Sequence, residues 1–430
     1  ICFNGEIYNF KKLKLELIDK GHSFFSNGDT EILISAWKEW GVSMLKKLDG
    51  MFSFVIWDTK NKNLFLARDR FGKKPLVYCI KDNSIFFASD VKSLACLIEG
   101  TSLNKEAIQS LFRFRFIYEP MTIYKNFIKL SPGSFIKFNN YGAKVEDWYY
   151  KSLKNQQLQF DSMKQLKNSV NNAVNKRLVS DVPLGIFLSG GIDSAIIMSS
   201  VAEHGKKIPT FTVGFKHQKK YYDESVSANK ISKYFGFENK TIYLDQKKVL
   251  SSIDQILDAN DEPFADSSAI AMHMISNSVK GDIKVALTGD GGDELLGGYT
   301  RYEVAARLFD RLRFLPISIR KILGKILRTS ISPFVTPDTT LSSGSGLTNL
   351  FQRPMLHRID VLAEVLNCNS KEAIYKILNS SWKHPERLLC NNDGVSSDCP
   401  LVMSGLNFER CEEMCMHVDT LTYLPDDILV

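Results

Sequence analysis

One short stretch limits the architecture of this chain more than any other: Leu188-Ser189-Gly190-Gly191-Ile192-Asp193-Ser194. The apolar run Leu184–Leu188 leads into it and reads as a buried strand, and Ser194–His204 leads out of it and reads as a helix. A strand that ends in two glycines at a helix start leaves backbone N–H groups unshielded beside the positive end of a helix dipole. Ser189 and Ser194 add hydroxyl donors, so the loop suits a pyrophosphate. Asp193 fits either a magnesium site or a helix N-cap. A capped tight turn is the bland alternative, and the strand–loop–helix order weighs against it. No G-x-x-x-x-G-K-[ST] stretch occurs, so this is not a Walker nucleotide site.

The surrounding pattern agrees with that loop. Thr210–Val213, Thr241–Leu244 and Val285–Thr288 read as short apolar strands, separated by helical stretches at Glu224–Phe235, Lys248–Ala259 and Ser267–Val279. Such alternation predicts a parallel sheet with helices on both faces, and ligands at the carboxyl ends of its strands. A further helix carries Leu166, Val170, Ala173, Val174 and Arg177, and helices dominate beyond Val304. The first third differs. Met51–Asp58, Leu64–Arg68, Leu76–Ile80, Ile85–Ser89 and Phe135–Phe138 have strand composition and turn residues between them, which predicts antiparallel hairpins. Helices are expected over Lys11–Lys20 and from Asp29, where Ile32, Leu33, Ala36, Trp37 and Trp40 share a face. The polar stretch Lys151–Gln159 separates the halves, giving domains 1–155 and 156–430.

Two further clusters carry chemistry. Thr288-Gly289-Asp290-Gly291-Gly292-Asp293-Glu294 follows a core strand and joins glycine freedom to three carboxylates, a composition that suits Mg²⁺ beside a triphosphate. Asp261-Glu262-Pro263 is a third acidic stretch, which alone signals only a helix start, with Asp266 or Ser267 as cap. In the first domain, Asn4-Gly5-Glu6 could place an amide and a backbone N–H as an oxyanion hole, with Glu6 and Asp29 holding an ammonium group. Each has a structural alternative: Asn4-Gly5 is a hairpin turn pair, and Asp29 a helix N-cap.

Composition excludes other classes. The formal charge is +7, but the lysines are scattered without a basic, aromatic-laced stripe, so no nucleic-acid partner is expected. No apolar run reaches the roughly 18–20 residues that cross a bilayer, and no membrane partner is expected. The eight cysteines form no CxxC pair, and the opening residues are not those of a secretory signal, so a cytoplasmic protein with free thiols is expected.

Together these segments resemble the glutamine-hydrolysing asparagine synthetase family, the B-type enzymes. The matching pieces are Asn4–Asn9, Leu48-Asp49-Gly50-Met51-Phe52, Ala67-Arg68-Asp69-Arg70-Phe71-Gly72-Lys73-Lys74-Pro75-Leu76, Ser189–Ser194, Asp261-Glu262-Pro263, Thr288–Tyr299 and Tyr423–Leu429, in the family's order. The resemblance implies an α+β, Ntn-hydrolase-like antiparallel sandwich followed by an α/β ATP-pyrophosphatase domain with a helical C-terminal part. It implies glutamine, aspartate and ATP as substrates, Mg²⁺ as cofactor, and suggests a homodimer. An amino-terminal Cys releases ammonia from glutamine, and ATP converts aspartate to an adenylate that ammonia turns into asparagine. Carried over, Asn4 and Gly5 form the oxyanion hole, and Glu6 and Asp29 bind the glutamine amino group, with Asn4 contacting glutamine as well. Leu188, Ser189, Gly190, Gly191, Asp193, Ser194, Val213, Thr288 and Gly289 contact ATP; Thr288 stands where the family usually has Ser. Asp290 serves adenylation, and Asp193 and Asp293 serve the metal. The same chemistry on another carboxylate, such as a surface-polysaccharide sugar acid, is the alternative.

Both ends fall inside apolar segments, at Ile1 and at Ile428-Leu429-Val430, as expected of an internal piece of a longer enzyme. On that reading the first domain is cut at its N-terminus and the second at its C-terminus. The nucleophilic Cys then precedes Ile1, Cys2 is a packing residue of its strand, and the piece itself hydrolyses no glutamine.

Overall fold

Strand β1 (Cys2–Ile7) pairs antiparallel with β2 (Gly50–Asp58), which pairs with β3 (Asn63–Arg68). These facts come from a computed structural model that describes residues 1–150, 162–215, 223–331, 358–389 and 408–429. The stretches Lys151–Gln159 and Leu341–Leu347, and Cys390 and Cys399, lie outside the described residues.

Short strands β4 (Val77–Lys81), β5 (Ser84–Ala88) and β6 (Ile128–Lys129) form a second antiparallel sheet of order β5-β4-β6. Strands β7 (Ser134–Asn139) and β8 (Gly142–Asp147) complete the first sheet, of order β1-β2-β3-β7-β8. Alternation along the strands divides the apolar side chains between two clusters. Phe52, Phe54, Ile56, Phe65 and Phe135 pack with Leu13, Leu17, Ile32, Leu33 and Ala36 of the helices Phe10–Ile18 and Asp29–Trp40. On the other side Val55, Leu66 and Ile136 meet Leu76, Tyr78 and Leu130, so the two sheets share a core.

Period-two alternation also corrects the reading of Cys2. Ile7 is buried and Phe3 packs on the aromatic core, which leaves Cys2, Asn4 and Glu6 on the opposite face of an edge strand. Cys2 is therefore exposed rather than packed.

The later part holds a four-stranded parallel sheet of β9 (Leu184–Phe187), β10 (Thr210–Phe215), β11 (Asn239–Leu244) and β12 (Val285–Leu287), in the order β11-β10-β9-β12. Val174, Leu178, Met198, Val201 and Ala228 form one apolar cluster with Ile186 and Leu188, and Ile275 and Val279 form another with Phe211. Helices thus cover the central strands from two sides, as the apolar runs in them require.

By compactness the chain forms two units, one of Ile1–Ile108, Phe116–Gly292 and Thr422–Val430, the other of Gln109–Arg115 and Asp293–Leu421. The second is helical. The helices Thr300–Leu312, Lys371–Asn379 and Cys411–Leu421 bury Tyr302, Ala305, Ile374, Met414 and Val418 against one another. Buried Asp419 accepts hydrogen bonds from Arg301 (2.6 Å) and Tyr302 (2.6 Å), and from Tyr375 as well. Among the described residues, no helix is long and apolar enough to cross a membrane.

Candidate functional site

The Ser189–Ser194 loop joins a strand to a helix, as the sequence pattern predicts. β9 is flanked by β10 and β12, and Leu188 N donates to Phe211 O at 2.8 Å, so the loop leaves a fully paired strand. Gly191, in extended backbone, is the N-cap of the helix Ile192–Glu203. Asp193 is in the first turn and is not the N-cap. Ser189 Oγ accepts from Gly191 N at 3.2 Å and lies 3.0 Å from Ser194 Oγ. Ser189 is exposed, so its hydroxyl and the helix N-terminus face solvent together. Val213 is half-buried in β10.

Gly190 is also required by the protein's own backbone. Its φ is +89°, and a Cβ there would come within 2.9 Å of Glu224 O and 3.0 Å of Ala228 N. The crowding comes from the start of the helix Ser225–Phe235. At Gly191 a Cβ would meet only Ser189 Oγ, at 3.3 Å.

The second glycine-rich loop crosses the first. A Cβ on Gly289 would lie 2.9 Å from both Asp193 Cβ and Ser194 N, and one on Gly292 would lie 2.7 Å from Asp193 Cγ. The backbone after β12 therefore runs against the start of the Ile192–Glu203 helix, an approach open only to glycine. Half-buried Thr288 and exposed Asp290 are carried to the same strand ends as Ser189–Ser194. Asp293 begins the second compact unit, in the first turn of the short helix Gly292–Leu296, with its carboxyl against Gly298. Among the described residues no group of three or more His, Cys, Asp or Glu gathers to hold a metal. That composition still suits Mg²⁺, which takes one or two carboxylates and completes its shell with phosphate oxygens and water.

In the first domain the strand β1 brings Asn4, Gly5 and Glu6 together. Asn4 is exposed, and its Nδ2 donates to Ser89 Oγ at 3.4 Å. Gly5 has no room for a side chain, because a Cβ would lie 2.2 Å from Met51 O on the paired strand. Asp29 is not an N-cap: Gly28 takes that position, and Asp29 Oδ2 accepts from Ile7 N at 3.1 Å. This bond draws the Asp29 carboxylate beside Glu6. Burial raises the Glu6 pKa, and the charges of Asp29 and Asp181 raise it further. Two neighbouring carboxylates that repel one another form a ready site for a cation.

Several residues near the site carried no role in the sequence reading. Buried Asp69 accepts from the N–H groups of Phe52, Phe71, Lys73 and Lys74 at 3.0–3.1 Å, fixing the turn after β3. Buried Arg68 donates to the carbonyls of Gly72, Lys74 and Leu130 and pairs with Glu119. Asp261 accepts from Lys92 N at 2.9 Å and from Val91 N, the first N–H groups of the helix Val91–Leu97, while the expected helix start downstream has Ser267 as its N-cap. Glu262 accepts from Ile123 N and pairs with Lys129 at 3.0 Å. A charged Arg-Asp pair directly after the apolar run Phe65-Leu66-Ala67 was the available signal for the first two.

Comparison with known proteins adds to this geometry. Residues 1–150 match the glutamine amidotransferase domain family, and residues 165–430 match the asparagine synthase family. Asparagine synthetase [glutamine-hydrolyzing] 1 of Bacillus subtilis is 36% identical over 327 residues, covering 75% of this chain and 51% of that protein. The putative asparagine synthetase [glutamine-hydrolyzing] 2 of Methanocaldococcus jannaschii is 33% identical over 335 residues, 76% of this chain and 64% of that protein. A putative asparagine synthetase [glutamine-hydrolyzing] of Mycobacterium bovis is 31% identical over 342 residues, 76% of this chain and 51% of its own length. The chain thus spans about half the length of two of these relatives and 64% of the third.

Proposed function

This chain belongs to the glutamine-hydrolysing asparagine synthetase family, and on that basis we propose that it takes part in glutamine-dependent, ATP-driven conversion of aspartate to asparagine. Residues 1–155 serve glutamine hydrolysis and residues 156–430 serve adenylation. In the first half Asn4 and the Gly5 N–H stabilise the oxyanion formed on the glutamine amide carbon, and Glu6 and Asp29 hold the α-ammonium group. In the second half an aspartate β-carboxylate oxygen attacks the α-phosphorus of ATP and pyrophosphate leaves. Ammonia then attacks the acyl carbon, loses a proton, and AMP departs with the carboxylate oxygen.

Leu188, Ser189, Gly190, Gly191, Ser194, Val213, Thr288 and Gly289 contact ATP, with Asp193 at the phosphates and Asp290 serving adenylation. Asp193 and Asp293 are the residues that would hold Mg²⁺, which shields phosphate charge when bound. The observation that carries this reading is the crossing of two glycine loops at the ends of adjacent parallel strands, where Gly289 and Gly292 abut Asp193 and the helix N-terminus.

The test uses the full-length protein with aspartate, glutamine and ATP. Asparagine, AMP, pyrophosphate and glutamate are the expected products. Asp290→Asn and Asp293→Asn should each slow pyrophosphate release by roughly 10²-fold while glutamine hydrolysis changes less than about twofold. Glutamine-dependent AMP release without asparagine would replace aspartate by another carboxylate acceptor. Equal loss of both activities in either variant would reject its assigned role.

A further inference from the structure

The helix Ile317–Ile331 of the helical unit has two faces that could pack, and only one of them is covered among the described residues. Gly324 rests on the helix at 358–365, where a Cβ would come within 2.9 Å of Ala363 O. Leu327 packs on the apolar core of the unit, and Arg320 Nη1 donates to Cys368 O at 2.6 Å. These three residues share the covered face. Ile319, Ile322, Leu323 and Ile326 recur at spacings of three and four and form a second, apolar face. They leave 46, 58, 41 and 54% of their surface exposed. Scattered exposed aliphatics need no explanation, but a contiguous stripe marks a place of contact.

The charges beside the stripe say what it meets. At 3.6 residues per turn, Ile322 points almost directly away from the covered face, with Ile319 and Ile326 on one side of it and Lys321 and Lys325 on the other. No acidic residue lies between Asp310 and Asp338 in the sequence. Arg313 and Arg328 reach Asp310 and Glu364, at 3.7 and 3.1 Å. Lys321 and Lys325 are exposed and form no ion pair among the described residues. Phe314, exposed just ahead of the helix, adds an aromatic ring. The helix Gln246–Ala259 also exposes Leu250, Ile253 and Leu257, but Asp254 and Asp258 stand beside them, so it lacks this pairing of apolar and basic rows.

We propose that the helix Ile317–Ile331 lies flat on an anionic lipid surface, its apolar stripe at the acyl boundary and Lys321 and Lys325 on the headgroup phosphates. Lysine stems can lie along the apolar surface while their ammonium groups stay at the headgroups. The four aliphatic side chains carry no polar group and make no directional demand, which a fluid surface meets without a matching pocket. Two copies joined through the stripe would instead bring lysine rows of like charge together. Such a contact needs no spanning helix and does not depend on the activity proposed above.

The experiment is flotation of the full-length protein with vesicles of phosphatidylglycerol and phosphatidylcholine in equal parts, against vesicles of phosphatidylcholine alone. The protein should float with the anionic vesicles and bind the neutral ones at least roughly tenfold more weakly. Lys321→Gln combined with Lys325→Gln should weaken anionic binding by roughly 30-fold, about fivefold for each charge. Ile322→Asp should abolish it. Ile319→Ser combined with Ile326→Ser should weaken it by roughly tenfold or more, which keeps the test decisive should Ile322→Asp fold poorly. All five positions are exposed, so thermal unfolding should leave the variants close to wild type. A wild type that ignores anionic vesicles overturns the proposal, as does binding that survives both the Ile322→Asp and the double Ser variants. Self-association without vesicle binding, lost in Ile322→Asp, would give the face to a second copy and overturn it as well.

Discussion

At the scale of single residues, the adjacent glycines of the Ser189–Ser194 loop have separable tasks. Alanine at Gly190 meets two backbone atoms of the Ser225–Phe235 helix and must also adopt a φ of +89°. Such a substitution should cost about 1–3 kcal/mol of stability and displace the loop. Gly191 is extended, and a Cβ there touches only a hydroxyl. Thermal unfolding should show Gly191→Ala close to wild type and Gly190→Ala clearly below it; equal destabilisation would place the conformational demand elsewhere. A second residue-scale expectation concerns Glu6. Binding an ammonium needs its carboxylate, and burial with Asp29 and Asp181 raises its pKa. The KM for glutamine should therefore rise as pH falls into the upper carboxylate range. Asp181→Asn removes one repelling charge, lowers the Glu6 pKa, and should move that acid limb to lower pH. An unmoved limb in the variant would mean that another group sets it. The sequence named Glu6 and Asp29 from type and family pattern alone. It could not show that Asp29 reaches Glu6 by accepting from Ile7 N, because that bond depends on how a later helix packs.

At the scale of elements, the parallel sheet was the most legible part of the chain. Its strands are short and centred on apolar runs, and the helices between them carry the three-to-four-residue period, so the two kinds of element separate clearly. The helices Val91–Leu97 and Lys105–Phe114 and the strand β8 were not foreseen. β8 has one partner and exposed Ala143, Lys144 and Val145, so little alternation marks it. The helix Val91–Leu97 is capped by Asp90, and its first N–H groups go to Asp261, which lies far along the sequence. In the helical unit, the packing of Thr300–Leu312, Lys371–Asn379 and Cys411–Leu421 converges on Asp419. Replacing Asp419 by Ala removes the acceptor shared by two buried phenols and the half-buried Arg301 guanidinium. The expected loss is about 3–5 kcal/mol, read by denaturant unfolding of the full chain, with Asn at the same place costing less. A loss below about 1 kcal/mol, the scale of one ordinary hydrogen bond, would show that the cluster is peripheral to stability.

At the scale of the whole molecule, the first compact unit joins the two halves of the sequence and the segment after Leu421 through one buried charge cluster. Lys129 pairs with Glu262 and Asp426 at 3.0 Å each, and Glu119 donates its N–H to Asp426 at 2.7 Å while its carboxylate pairs with Arg68. The sequence marks Arg68 and sets Glu262 and Asp426 in family-like segments, but it does not show that they meet, because 307 residues separate Glu119 from Asp426. Its electrostatics make a prediction with a definite sign. Burial raises Glu119 from its ordinary 4.5 to about 7, against the opposing charge of Arg68, and burial likewise raises Glu262 and Asp426, against that of Lys129. Burial alone would lower Lys129, but Asp426, Glu262 and Glu119 outweigh it and hold the amine charged. A carboxyl whose folded pKa is raised favours the fold below its unfolded value and loses that contribution as pH climbs through the folded value. Lys129→Met removes the cation that three carboxylates face, so their folded pKa values should rise further. The variant should lose about 3–5 kcal/mol at pH 8, where all three would have to be charged, and recover much of it near pH 5 as they protonate. Chemical denaturation at the two pH values measures this. A deficit that is the same at both would mean that Lys129 contributes through packing and its bond to Ile117 O rather than by balancing the buried acids.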